Sequence, residues 1–148
     1  LIPLFFILFW GAIDMGNILN MYLKLVHATK EGARFVSESS RSSCTGAIRT
    51  NVQNRTLQIL DKSGISAFDP RLDVPVPPGC GHLTSGDVTY EFMNARATLE
   101  LEAADLFFGP ALEFLGIVEF PMTLSSSTTG LHNIIEDYDG PTTMAGGL

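Results

Sequence analysis

Three histidines, two cysteines and sixteen acidic side chains are the groups that could do chemistry in this chain of 148 residues. His27, His82 and His132 are widely separated, and none stands in a recognisable frame with a serine and an acid. Glu100 and Glu102 are spaced to share one face of a strand, but no aromatic platform accompanies them as glycosidase chemistry would require. They read as solvated surface. Glu136, Asp137 and Asp139, followed by Gly140, make an oxygen-rich run that could hold calcium. The bidentate Glu that completes an EF-hand loop is missing, so this is a weak metal candidate. Cys80-Gly81-His82 has no second pair of ligands for zinc. Asn54-Arg55-Thr56 fits a glycosylation sequon but falls inside a predicted helix. There is no glycine-rich phosphate loop. These residues predict a protein that is not an enzyme and carries no cofactor.

Cys44 and Cys80 lie on either side of the second predicted helix. A disulfide between them would close a loop of some thirty-odd residues and contribute roughly 3–4 kcal/mol in the chain-entropy description. It would also pin a Pro-rich segment and place the domain in an oxidising compartment. Two unrelated buried thiols are the alternative.

The elements that must position these groups begin with a hydrophobic helix. Leu1 to Ile13 carries no charge and holds three Phe plus Trp10; Asp14 is the first charge and Lys24 the next. A bilayer-spanning helix needs about 20 apolar residues. Continuing to Leu23 supplies the length but places Asp14, Asn17 and Asn20 in lipid, at a cost. Either this helix is buried against other proteins, or further residues precede Leu1, as the missing initiator Met suggests. No A-x-A-like cleavage site follows, so a retained anchor is expected in preference to a removed signal peptide. Asp14 either pairs with a base on a neighbouring helix or marks the membrane boundary.

Beyond Gly16 the pattern becomes amphipathic. Ile18, Tyr22, Leu25, Thr29, Ala33 and Val36 follow one face, and Asn20, Lys24, His27, Glu31, Arg34 and Glu38 the other. The spacing predicts one helix of about 35 residues, roughly 50 Å long. A polar loop follows over 37–43, then a second helix from Thr45 to Lys62, stopped by Ser63-Gly64. The Pro- and Gly-rich stretch 68–86 admits a short edge strand at Leu72 to Val76. Ala95, Ala97, Leu99 and Leu101 alternate with polar residues as a half-buried strand, with Val88, Tyr90 and Phe92 before it. Leu106 to Leu115, broken by Gly109-Pro110, predicts a turn and short helix. Val118, Phe120, Met122 and Leu124 alternate again before the Ser/Thr run 125–129, which reads as solvated turns and edge. The expected fold is α+β: a long N-terminal anchoring helix (1–43), a head with a second helix and an antiparallel sheet (44–130), and an acidic tail (131–148).

Charge is polarised. Residues 1–62 hold seven basic and four acidic groups, a net of +3, and residues 63–148 hold two and twelve, a net of −10. The overall charge of −7 disfavours nucleic-acid binding. With 45% hydrophobic and 17% charged residues, disorder is disfavoured too. A basic stalk and an acidic head suit packing between copies or partners, although solvated acids explain most of these carboxylates equally well.

The segments Phe9-Trp10-Gly11-Ala12-Ile13-Asp14-Met15-Gly16 and Ala28-Thr29-Lys30-Glu31-Gly32-Ala33-Arg34-Phe35 resemble the TadE-like minor pilins, or pseudopilins, of the tight-adherence branch of type IV pili. Leu1-Ile2-Pro3 is similar to the family's Leu-Pro within the membrane run. The resemblance covers residues 1–36 well and the remainder weakly, through Val88–Phe92 and Phe120–Leu124. It implies a pilin-like protein cut by a prepilin peptidase upstream of Leu1. Its helix would lie in the bacterial inner membrane, its head in the periplasm or on the extracellular pilus. Its partners would be other pilin subunits, the assembly platform and lipid. Gly11, Asp14, Gly16, Glu31, Gly32 and Arg34 would form the helix-packing and assembly face, with Gly11 and Gly16 permitting close approach and Asp14 meeting a neighbour's cation. Lys24, Lys30 and Arg34 on the outer side run against the positive-inside tendency unless the leader is more basic. Two other readings stand beside this one: an anchored periplasmic scaffold of another envelope machine, and a calcium-dependent surface adhesin.

Overall fold

The structure, a computed structural model, describes residues 2–38, 45–85 and 88–134. The long helix is continuous: α1 runs from Ile2 to Glu38, 37 residues, or about 55 Å at 1.5 Å per residue. The second helix, α2 (Gly46–Lys62), starts after Thr45 and ends where Gly64 takes a positive φ. There the Ile65 N–H donates to Leu60 O and the Gly64 N–H to Asp61 O. This closes the helix as a Schellman turn, with Leu60 and Ile65 together in the core.

Four strands follow: β1 (Leu72–Asp73), β2 (Gly81–Ser85), β3 (Val88–Leu101) and β4 (Met122–Ile134). A 3-10 turn (Ala103–Asp105) and a six-residue helix, α3 (Gly109–Phe114), lie between β3 and β4. All pairings are antiparallel. β3 is the centre, with β4 along one edge and both β2 and β1 along the other. Its pairing with β4 keeps one register from Thr89↔Ile134 to Leu101↔Met122. The fold is the expected α+β, a long apolar helix carrying a second helix and an open antiparallel sheet.

Several local expectations change. The strand expected at Leu72 to Val76 is only two residues long, because Pro75 cannot donate to the ladder. β2 lies in a stretch expected to be irregular. Tyr90 and Phe92 belong to the same strand as Ala95 to Leu101 but to its opposite face, since an unbroken strand alternates strictly. Met93 is the residue that continues the buried side. The Ser/Thr run is edge strand, as expected, but no turn: Ser125 to Thr129 lies in the middle of β4, which runs along one edge of the sheet and continues to Ile134.

One face of the sheet packs on the C-terminal half of α1 and on α2. Leu25, Ala28, Leu60, Ile65, Val74, Ala97, Leu99 and Leu101 form one core cluster, and Ala33, Val36, Val52, Met93 and Ala95 a second. Small residues let α1 lie close. A Cβ at Gly32 would overlap Thr56 Oγ1, and one at Gly130 would overlap the Ala33 carbonyl. Hydrogen bonds from α2 hold the Pro-rich segment. Gln53 Nε2 donates to Val74 O at 2.7 Å, Arg49 Nε donates to Pro77 O, and Val74 and Pro77 are buried.

Candidate anchoring and assembly surface

The N-terminal third of α1 projects from this domain. Ile2 and Leu4 to Phe9 are exposed, and so are Gly11, Ala12 and Ile13. The helix is apolar and long enough to cross a membrane from Leu4 onward, with a mean hydropathy of 1.5 in its most apolar window. An apolar surface of this size has no stable place in water, so α1 acts as a membrane anchor.

Asp14 stands where the helix passes from bare to covered, and it is only 6% exposed. Its Oδ1 accepts the Phe107 N–H and its Oδ2 accepts the Phe108 N–H, both at 2.8 Å. These amides lead into α3, whose own sequence supplies no side-chain cap. Both carboxylate oxygens therefore have partners within the chain. Its role here is to tie residues 106–109 to α1, across 93 positions of sequence. Aromatic rings reinforce the joint. Trp10 stacks on Phe107 with centroids 4.3 Å apart, and Phe107 meets Phe108 edge-on at 5.4 Å.

The other expected assembly residues divide into two sets. Gly11 and Gly16 have no atom within 4 Å of where a Cβ would stand, so each leaves room for close approach; Gly11 does so on the side of the helix that faces residues 106–118. Gly32 is used internally, where α1 meets α2 and β3. Glu31 and Arg34 lie on the far side of α1 from the core, where Arg34 Nε donates to Glu38 at 2.6 Å and Glu31 stands 4.0 Å away. Exposed helix pairs of this kind contribute little to stability.

Two features escaped the sequence reading. Thr29, fully buried, places its Oγ1 2.9 Å from Ser126 Oγ and 3.1 Å from Thr128 Oγ1. This hydroxyl cluster fastens α1 to β4. Arg71 bridges two acids: its Nη2 reaches Asp69 at 3.1 Å and its Nη1 reaches Asp105 at 2.7 Å. Hydrogen bonds from the Arg71 side chain and backbone hold the Asp69 carboxyl below its ordinary range. The same contacts, first to Asp69 and then to Asp105, raise Arg71 further. Asp105 also accepts the Glu102 N–H at 2.8 Å, closing the turn after β3.

Glu100 and Glu102 are exposed, as expected of surface acids, and with Glu113, Phe120 and Pro121 they line an open depression. Among the described residues, no three His, Cys, Asp or Glu are placed to hold a metal. No buried side-chain nitrogen or oxygen among them lacks a partner. The calcium candidates Glu136, Asp137 and Asp139 lie outside the described residues, as does Cys44. Among those described no cysteine is free.

The family model described as TadE-like protein matches residues 1–34, nearly the whole of α1. No curated protein and no solved structure matches significantly.

Proposed function

We propose that this chain, TadE-like through its anchoring helix, is a non-enzymatic minor pilin that packs into a Tad-type adhesive pilus or primes its assembly. The bare N-terminal third of α1 carries this reading. It is too apolar for water, and it keeps Gly11 and Gly16 open on its surface. It is joined to a head whose sheet and second helix cover only the other end of the helix. Such a helix can rest in a bilayer before assembly and exchange lipid for neighbouring helices within a filament. Head-to-tail contacts that do not close then propagate a fibre.

In this reading a prepilin peptidase cuts upstream of Leu1, the head faces the periplasm, and Cys44 pairs with Cys80 in that oxidising space. The partners are other pilins and the inner-membrane assembly platform. A head of this size exceeds what a minimal filament repeat needs, which favours a minor subunit. Shearing native cells and probing with an antibody to the head tests the proposal. Recovery in the sheared filaments, substoichiometric to the principal subunit, is the expected result. Full retention in the inner membrane, with filaments intact and free of the chain, would replace the pilin with an anchored periplasmic scaffold.

A further inference from the structure

Residues 106–118 present a run of exposed apolar side chains on the head. Phe107 is 61% exposed, Phe114 90% and Ile117 66%. From Leu106 to Leu112 no side chain is charged. Glu113, the one charge on α3, lines the open depression beside Glu100 and Glu102 instead. On the α1 side lies an apolar groove of about 470 Å³, bounded by Ile7, Gly11 and Met15 from the helix and by Leu112, Leu115 and Ile117 from the loop. α3 is therefore amphipathic across its six residues.

This patch is continuous with the anchor. The groove spans the level of α1 from Ile7 to Ile18, and Trp10 lies against Phe107 at that level. Tryptophan concentrates at membrane–water interfaces, where its ring is part buried and part wet. A helix with one apolar and one polar side lies in the interface plane with its apolar side toward the acyl chains. We propose that residues 106–118 dip into the outer face of the lipid bilayer beside α1. They form a second, shallow membrane contact that sets the depth and tilt of the head. The Asp14 carboxylate, gripping the Phe107 and Phe108 amides, is the strut that holds this segment at the right height. The inference rests on the reading of α1 as the membrane anchor.

The test uses the full chain in phosphatidylcholine/phosphatidylglycerol vesicles, with and without brominated acyl chains. Trp10 is the sole tryptophan, so a Trp10→Phe background permits single reporters. Phe5→Trp reports on the anchor, and Phe114→Trp, with Ile117→Trp as a second position, reports on the patch. The expected result is blue-shifted emission at positions 5, 114 and 117, each losing about twofold or more in brominated vesicles, as for side chains in contact with acyl chains. Quenching at 5 but at neither 114 nor 117 overturns the inference and leaves the anchor standing. A blue shift at 114 that grows with protein density, without bromine quenching, also overturns it and assigns the groove to a second copy. No quenching at any position overturns the membrane reading beneath it.

Discussion

The two ends of α1 belong to one unbroken helix but live in different surroundings. From Ile2 to Ile13 almost every described side chain is exposed, and almost every one is apolar. From Ile18 to Val36 the helix has a buried stripe of Leu25, Ala28, Thr29, Ala33 and Val36; on its exposed side Leu19, Tyr22 and Leu23 give way to polar residues such as Lys30 and Arg34. The sheet and α2 pack on the second region, and only residues 106–118 reach the first. Asp14 is the boundary, where the last bare turn gives way to contact with residues 106–109. One region is thus stabilised by the chain itself, and the other can be satisfied only by something outside it. The same residue type should therefore matter in opposite ways at the two ends.

Glycine gives the largest contrast. Gly32→Leu forces a side chain against Thr56 and Ala95, and overpacking of this kind should cost about 3 kcal/mol or more. Gly11→Leu meets no atom within 4 Å of its Cβ and extends beside the apolar groove, so head stability should hold or rise by up to about 1 kcal/mol as a helix glycine is removed. Urea unfolding followed at the head should separate the two variants; equal losses would break the comparison. Gly11→Leu should nevertheless reduce recovery in sheared filaments, because its cost falls on a neighbour.

Leucine sharpens it. Leu25→Ala removes a fully buried side chain and should lower stability by about 2–5 kcal/mol. Leu19→Ala, at an exposed position, should stay within about 0.5 kcal/mol in the same measurement.

At the boundary, Asp14→Ala leaves two amides without their acceptor, a loss of about 1–3 kcal/mol. The effect should be local. Hydrogen exchange at the Phe107 and Phe108 amides should accelerate while β3 stays protected. Uniform acceleration would show that the joint supports the whole head.

The smallest effect lies in the Asp69–Arg71–Asp105 bridge. Because Asp69 titrates lower when folded, its contribution is present above the unfolded carboxylate value of about 3.9 and is lost as pH falls through the folded value. Arg71→Met should remove that dependence. The wild-type and variant stability curves should diverge above about pH 4 and converge in stronger acid. Curves that stay parallel would show that the bridge has no linkage to folding.

Much of this contrast was legible in sequence, for a physical reason. A hydrophobic run, an amphipathic stripe and an alternating strand each carry their period in hydropathy, so α1, α2 and the core side of β3 could be read directly. β4 could not. Ser125 to Thr129 is polar on both faces, so hydropathy alternation is silent about Ser126 and Thr128 turning inward to meet Thr29. β2, with His82, Thr84 and Ser85, hides for the same reason. Asp14 was conspicuous for its place, but its partners are backbone amides, which every residue except proline possesses and no side-chain pattern announces. Arg71 drew no notice because its two acids come from different segments, 34 positions apart in the case of Asp105.

The most direct measurement is photocrosslinking from the bare half of the helix. A benzophenone amino acid replaces Phe6 in the full chain, expressed in cells that make filaments, and sheared filaments and membranes are compared after irradiation. The expected result is an adduct between this chain and another pilin subunit in the filament fraction, with lipid or platform adducts confined to membranes. An absence of filament adducts, with the chain crosslinked in the membrane alone, would contradict a helix whose exposed half is completed by its neighbours in a pilus.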